Sequence, residues 1–173
     1  MTVASAFQTI GPYWHLLDHA EQADLTRFGA DGETVVLTGS IRDGNGDPVA
    51  DAAVELWQAS PAADDSFPGW GRARTDADGV YRFTTVRPGP VPGRGNTQQA
   101  PHFAITIFAR GILTRLCTRA YFAADPRNDA DPLLTLIDDP ARRGTLIATA
   151  SDGNEWRFDI VLQGTGETVF LDI

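Results

Sequence analysis

The sequence predicts an all-β fold, a two-sheet β-sandwich with long irregular loops and an N-terminal arm. Many short segments are apolar or alternate between apolar and polar residues, as the strands of a partly buried sheet do. Turns rich in Gly, Asp and Asn separate these segments. The length of 173 residues matches one domain with a substantial core. We therefore assign residues 1–33 to the arm and residues 34–173 to the sandwich domain.

The N-terminal arm is predicted to be irregular, with one short helical turn near residues 24–28. Gly11-Pro12 introduces a turn, and the polar and acidic residues after it show no sustained period. The arm also carries the large apolar side chains of Phe7, Tyr13, Trp14 and Leu16. Because such side chains are unfavourable in water, we expect the arm to dock on its own domain or on a partner subunit.

From residue 34 onward the chain shows a β pattern. Strands are predicted at residues 35–41, 53–58, 80–86, 103–108, 113–121, 146–150, 156–162 and 168–172. Residues 43–46 and 76–79 predict tight turns, because their glycines supply a positive φ. Residues 131–137 favour a short helix or an apolar loop. Residues 88–96 are predicted to form a long loop, since proline lacks the N–H that a central strand needs.

The composition predicts a soluble, cytoplasmic protein that does not bind nucleic acid. The net charge of −9 would repel phosphates. No apolar segment approaches the roughly 20 residues of a membrane-spanning helix, and the N-terminus shows no secretory signal. The single Cys117 excludes an internal disulfide and fits a reducing cytoplasm.

Two candidate sites are set aside on their sequence pattern. Residues 43–47 (Asp-x-Asn-x-Asp) resemble the start of a calcium loop, but Pro48 replaces the required glycine and Val54 replaces the final glutamate. We therefore predict a hairpin turn there. Cys117 lies in an apolar strand pattern without a visible histidine partner, which favours a buried and unreactive thiol.

His102 begins a predicted strand and is the histidine nearest to a plausible reaction site. Side chains alternate along a strand, so His102 and Ala104 point to the same face. A metal site on this strand would need ligands at both positions, and alanine ligates nothing. His15 and His19 lie in the polar arm, where solvation is expected. Without a second ligand, His102 is more often a structural histidine than a metal ligand.

Two further side chains are candidates for substrate binding, each with a structural alternative. Tyr13 follows Gly11-Pro12, and the fixed φ of proline would present its hydroxyl in a defined direction. The alternative is a docking residue. Arg110 ends an apolar strand and offers two parallel hydrogen bonds to a carboxylate. The alternative is a surface charge at the strand edge.

Several motifs in one order cover most of the chain. They are QTIGPY (8–13), GNG (44–46), VELWQA (54–59), TVRPGP (85–90), APH (100–102), FARG (108–111), RLCTRAYF (115–122), RRGTLIA (142–148), FDI (158–160) and QGTGETVF (163–170). On these motifs the sequence resembles the intradiol ring-cleaving dioxygenases.

The resemblance implies that this chain has the fold of the family but lacks the residues that bind its iron. In catalytic chains of this family, two tyrosines and two histidines hold non-haem Fe(III), which phenolate and imidazole suit. Here His102 remains, but Val91 stands at one tyrosine position and Ala104 at the second histidine position. Residues 58–71, where the other tyrosine belongs, contain none. The resemblance therefore implies no catalytic residue in this chain, with His102 a remnant of the ligand set.

The resemblance also implies a partner. A homologous catalytic β subunit would bind the Fe(III), and the complex would cleave protocatechuate with O2 to 3-carboxy-cis,cis-muconate. In such heteromers the arm lines the substrate pocket, which by motif assigns one wall to Thr9, Gly11, Pro12 and Tyr13. Arg110 would add positive charge near the substrate carboxylate. Two other interpretations stay open: an enzyme with a different metal set, and a transthyretin-like binding or scaffold module without an enzymatic partner.

Overall fold

Strands form most of the regular structure in a computed structural model, which describes residues 9–11 and 13–172. The strands are β1 (Thr34–Arg42), β2 (Ala53–Trp57), β3 (Trp70–Arg74), β4 (Val80–Val86), β5 (Val91–Pro92), β6 (Gln98–Gln99), β7 (His102–Phe108), β8 (Leu116–Phe122), β9 (Ile147–Ala150), β10 (Glu155–Arg157) and β11 (Ile160–Val161). The helical segments are the 3-10 helices Trp14–Leu17, Ala20–Ala23, Pro126–Ala130 and Leu134–Leu136, and α1 (Pro140–Gly144). The all-β prediction is confirmed. The described helices are all too short to cross a lipid bilayer.

Hydrogen bonds connect nine of these strands in one sheet, eight of them in a single path. The order is β11-β1-β10-β9-β8-β7-β2-β3, and β4 pairs with β1. β9 makes the central connection, because it pairs antiparallel with β10 and parallel with β8. β5 and β6 form a separate hairpin: β5 lies in the loop predicted at residues 88–96, and β6 lies just after it. Apart from that hairpin, the described strands form one continuous sheet, and this strand order does not confirm the two-sheet sandwich that the sequence predicted.

The main hydrophobic core draws on both halves of this path. The fully buried side chains include Val35 and Leu37 of β1, Phe83 of β4, Val54 and Leu56 of β2, and Phe103, Ile105 and Ile107 of β7. Burial alternates strictly along β7, as the pleat requires. His102 and Ala104 therefore lie on the face away from this core. That outer face carries much of the candidate site.

The arm docks on its own domain through Leu25. The Leu25 side chain is fully buried in the main core, and its backbone N–H donates to Thr84 O of β4 at 2.8 Å. Gly71 of β3 makes room for it, because a Cβ at Gly71 would lie 2.5 Å from Leu25 Cδ1. The helical turn expected at residues 24–28 is a hydrogen-bonded turn instead, and the preceding 3-10 helix is Ala20–Ala23.

The strand predicted at residues 156–162 is interrupted at Phe158 and Asp159. Phe158 turns into the core, and its N–H donates to Thr38 O at 2.8 Å. One carboxylate oxygen of Asp159 accepts hydrogen bonds from the N–H and the hydroxyl of Ser40. A side chain thus replaces a backbone carbonyl as the acceptor beside β1. The result is two short strands, β10 and β11, in place of one.

The backbone at Phe158 crosses β1 very close to Gly39. A Cβ built on Gly39 would lie 1.8 Å from Phe158 O and 2.9 Å from the hydroxyl oxygen of Tyr81. The Tyr81 hydroxyl donates to Phe158 O at 2.6 Å. Burial raises the pKa of the Tyr81 hydroxyl, so it remains a protonated donor. The crossing therefore depends on a residue without a side chain at position 39.

One further strand prediction was wrong, and one strand was not predicted. The strand predicted at residues 168–172 is reduced to a bridge between Leu171 and Cys117, because threonine hydroxyls take part of the hydrogen bonding. Thr118 donates to Val169 O, and Thr145 accepts from the Val169 N–H. β3 was not predicted, since its inward residues are glycine and alanine and give little apolar signal.

Candidate functional site

Thr9 holds the turn between β7 and β8. Its hydroxyl donates to Ala109 O at 2.9 Å and accepts from the Gly111 N–H at 3.1 Å. These two groups flank Arg110, so one hydroxyl fixes the backbone on both sides of the arginine. Gly111 has a φ of +86°, a conformation that favours glycine. The structure therefore brings together Thr9 and Arg110, which the resemblance assigned to one substrate pocket.

Arg110 carries a positive charge without an ion-pair partner among the described residues. Its side chain is exposed and makes no hydrogen bond or ion pair with the described residues. It lines a groove of about 460 Å³ whose apolar walls include Val49, Ile112 and Leu162. Asp43 lines the same groove, but its carboxylate accepts hydrogen bonds from the backbone N–H groups of residues 45 and 47. The hairpin turn predicted at residues 43–47 is therefore present. Because the Asp43 carboxylate has these partners, the Arg110 guanidinium remains available to a ligand.

Tyr13 and its neighbours cover the other side of the β7 end. The Tyr13 side chain is 73% exposed and lines a groove of about 490 Å³ with Phe108. Trp14 anchors this segment, because it is buried and its indole N–H donates to Asp51 O at 3.0 Å. Leu16 and Leu17 are about 70% exposed. The arm therefore has one side docked on its own domain and one apolar side directed outwards.

The residues predicted as one pocket wall divide around the end of β7. Thr9 and Arg110 lie at the turn itself, and Tyr13 lies in the groove beside Phe108. Gly11 has a φ of +76°, and a Cβ there would meet nothing within 4 Å. Backbone conformation, not space, is therefore the reason for glycine at position 11. Pro12 lies outside the described residues.

His102 stands in a second recess, formed where β7 and β8 meet the β5–β6 hairpin. Its Nδ1 lies 2.7 Å from Ala100 O, and a carbonyl only accepts, so Nδ1 carries the proton. Burial, with a contribution from the positive charge of Arg119, lowers the pKa of His102 to about 4. The imidazole is therefore neutral near pH 7, and its Nε2 is a hydrogen-bond acceptor.

Tyr121 packs against His102, with ring centroids 5.2 Å apart. Its hydroxyl donates to Asp131 at 3.1 Å and accepts from Arg119 at 3.1 Å. Burial raises the pKa of the Tyr121 hydroxyl, which keeps the phenol protonated. Tyr121 is thus held by its neighbours in a form that does not ligate a metal.

The side chains of this recess do not fit an Fe(III) ligand set. Ala104 occupies the second position on β7, opposite Arg119 of β8, and Val91 lines the recess from the hairpin. One neutral imidazole remains as a donor, beside a positive charge that disfavours a cation. Across residues 9–11 and 13–172, no three His, Cys, Asp or Glu side chains gather as a metal site would require.

We predict that His102 makes the chain sensitive to acid. The unfolded state takes up a proton near pH 6.5, whereas the folded state does so near pH 4. Stability is therefore lost as the pH falls through this window, by about 2 kcal/mol at pH 4.5. Urea unfolding of wild type and His102→Gln at pH 7 and pH 4.5 measures this, and the loss should be smaller by that amount in the variant. His19→Gln in the exposed arm is the control. An equal loss in wild type and His102→Gln would contradict the assignment.

Sequence reasoning missed the role of Arg119 as a recess residue. The residue occurs in one of the quoted motifs, but only the pairing of β8 with β7 places it beside Ala104. Its guanidinium donates to Gln99 at 2.7 Å as well as to Tyr121. A charged residue between the apolar residues Cys117 and Tyr121 on the same strand face was the available signal.

Comparison with known proteins identifies relatives over nearly the whole chain. Residues 10–164 match the family model described as Dioxygenase. The chain is 40% identical to the protocatechuate 3,4-dioxygenase alpha chain of Pseudomonas putida, over 95% of this chain and 94% of that one. It is 33% identical to the protocatechuate 3,4-dioxygenase beta chain of Burkholderia cepacia, over 93% and 76%. It is similar in structure to the dioxygenase domain of a dioxygenase and carbohydrate-binding fusion from Streptomyces sp. SirexAA-E. That similarity has a TM-score of 0.66 and 29% identity, and covers 91% of this chain and 97% of that one.

Proposed function

The chain belongs to the intradiol dioxygenase family, and from this premise we propose that it is the α subunit of a heteromeric protocatechuate 3,4-dioxygenase. The complex would cleave protocatechuate with O2 to 3-carboxy-cis,cis-muconate. Fe(III) would be bound by the homologous β subunit, where it activates the aromatic diol for reaction with O2. This chain would contribute no metal ligand.

One observation carries the division of labour. The recess around His102 offers a single neutral imidazole, with Ala104 and Val91 at the neighbouring positions. An iron-dependent enzyme with this chain therefore needs a ligand set from elsewhere. The similarity to both alpha and beta chains supports a homologous partner as the source.

The residues of the arm and the β7–β8 turn would form this chain's part of the substrate pocket. Arg110 would bind the substrate carboxylate through its guanidinium, since charge-assisted pairs of this kind are strong and directional. Thr9 would hold the Arg110 turn in place. Tyr13, Gly11 and Pro12 would line the pocket wall, and this exposed wall would exclude water once the partner covers it.

The proposal also covers the docking surface, the arrangement of the sheet and the cellular location. The outward side of the arm, with the exposed Tyr13, Leu16 and Leu17, would dock on the β subunit. The two halves of the long sheet, β1–β4–β10 and β2–β7–β8, would act as the two layers of a sandwich around the shared core. A cytoplasmic location is supported by the single, buried, unpaired Cys117.

Iron analysis with and without the partner tests the proposal. We expect a stable complex with about one iron per α/β pair, and ring-cleaving activity only when both chains are present. The chain purified alone should contain no stoichiometric iron. Because His102 is not a ligand, His102→Gln in the complex should leave the iron content unchanged.

Two outcomes would favour the other interpretations. One iron for each copy of this chain purified alone, with the colour of a tyrosinate–Fe(III) centre, would mean that the chain has its own metal set. A β subunit that cleaves the ring equally well without this chain, and does not bind it, would favour a scaffold module.

A further inference from the structure

The recess around His102 is large enough for a small ligand. Its volume is about 320 Å³, at the lower end of the range for small-molecule sites and suited to a single ring. The lining residues come from β2 and the segment after it, the β5–β6 hairpin, β7 and β8, and include Trp57, Gln58, Val91, Pro92, His102 and Arg119.

Arg119 gives this recess a positive charge that no carboxylate contacts. Its guanidinium donates hydrogen bonds to two neutral oxygens, those of Gln99 and Tyr121. Asp131 is the acidic residue in this network, but it is fully buried and both its carboxylate oxygens accept hydrogen bonds from other groups. Its oxygens accept from Tyr121 and from the backbone N–H groups of residues 100, 133 and 134. Among the described residues, the Arg119 guanidinium therefore keeps donors available for an anion.

Of the Gln58 and His102 side chains in the recess, His102 leaves an acceptor available. Both polar atoms of the Gln58 side-chain amide have partners. Its Nε2 donates to the carbonyls of Ser60 and Val86, and its Oε1 accepts from the Thr85 hydroxyl. The Nε2 of His102 is different, because the proton sits on Nδ1 and no described residue donates to Nε2. A ligand hydroxyl is the group that would donate to it.

Flat or apolar side chains complete the walls. Trp57, Val91 and Pro92 are partly exposed around the recess. Arg119 stands diagonally across the strand pair from His102, because β8 places it opposite Ala104. The charge and the acceptor thus lie on one face, two residue pairs apart along the strands, with apolar walls around them.

We propose that this recess binds a small hydroxylated aromatic carboxylate, with its carboxylate on Arg119 and its hydroxyl on His102. The ligand is bound and not transformed, since the described residues of the recess form no metal ligand set. The site belongs to this chain alone and does not depend on the identity of its partner.

Ligand counting on the purified α/β complex tests this site. The probe is radiolabelled 4-hydroxybenzoate in equilibrium dialysis, which counts bound molecules per pair. We expect two per pair, one of them in this chain. Arg119→Gln should weaken the site in this chain about tenfold to a hundredfold, since hydrogen bonds to charged groups contribute about 1.5–3 kcal/mol. Val91→Trp should fill the recess and remove that site without changing its charge.

Matched controls separate the contacts. Arg82→Gln, an exposed arginine on β4, should keep both sites. The neutral 4-hydroxybenzamide should not compete at this site, and benzoate, which lacks the hydroxyl, should compete less well. His102→Phe should abolish that preference for the hydroxyl.

Two results would overturn the proposal: one bound molecule per pair in the wild type, or two per pair in both Arg119→Gln and Val91→Trp. The proposed function can fail separately. If the chain purifies without a catalytic partner, one bound molecule per chain would still support the site, and none would reject it.

Discussion

Arg110→Ala should lower kcat/KM for protocatechuate by about tenfold to a hundredfold and leave kcat/KM for catechol nearly unchanged. The range follows from the 1.5–3 kcal/mol of a hydrogen bond to a charged group. Arg110 makes no hydrogen bond or ion pair with the described residues, so its removal costs little structure. Thr9 holds the backbone on both sides of it, which fixes the point from which the arginine side chain extends. The comparison of two substrates isolates the carboxylate, because catechol lacks that group.

Three variants sharpen this experiment. Arg110→Lys keeps the charge but loses the planar fork, so its loss should be intermediate. Thr9→Val removes the hydroxyl that fixes the turn, and should shift the protocatechuate value in the same direction by a smaller factor. Arg82→Ala is the control for surface charge. Equal losses on both substrates would assign Arg110 to structure, and a loss of iron from the complex would contradict its role in substrate binding.

Gly39→Ala should destabilise the chain by more than about 4 kcal/mol, enough to prevent folding of many domains. A Cβ at this position would lie 1.8 Å from Phe158 O. The obstacle is backbone, held by the Phe158 N–H bond to Thr38 O and by the Tyr81 hydroxyl. Backbone cannot rotate away as a flexible side chain can, so β1 and the Phe158 segment would have to separate.

Soluble yield and urea unfolding measure this effect. Gly144→Ala is the matched control, since a Cβ at Gly144 meets nothing within 4 Å and no left-handed backbone is involved. Its stability should change by less than about 1 kcal/mol. If Gly39→Ala is insoluble, Tyr81→Phe tests the same crossing. The loss of the hydroxyl leaves Phe158 O unpaired and should cost about 1–3 kcal/mol. A soluble Gly39→Ala chain of wild-type stability would show that the crossing is not as tight as described.

Local sequence patterns predicted most strands but not the points where tertiary contacts interrupt them. β4 and β7 follow apolar runs bounded by turn residues, and both were placed within one residue. β3 has glycine and alanine at its inward positions, so its burial comes from the neighbour Leu25 and leaves no apolar period to detect. The interruption at Phe158 depends on the Asp159 carboxylate reaching Ser40, a contact between distant segments.

The candidate site divides in the same way. Thr9, Tyr13 and Arg110 were identified through motifs shared with a family, and no pattern in the sequence states that Thr9 bonds to the Arg110 turn. That contact depends on the Ala109 carbonyl and the Gly111 N–H, which lie about 100 residues away in sequence. The His102 and Ala104 pair was visible from strand alternation alone. Arg119 became visible only through strand pairing, since register cannot be inferred from an isolated strand.

The burial of Leu25 against Gly71 has a consequence for recombination within the family. The arm fits this domain because position 71 lacks a Cβ, and any side chain there would occupy the volume of the Leu25 methyl group. An arm grafted onto another chain would need the same gap in its recipient. Arm and sheet must therefore be inherited together, as one cooperative unit, even though only the sheet looks like a domain in the sequence.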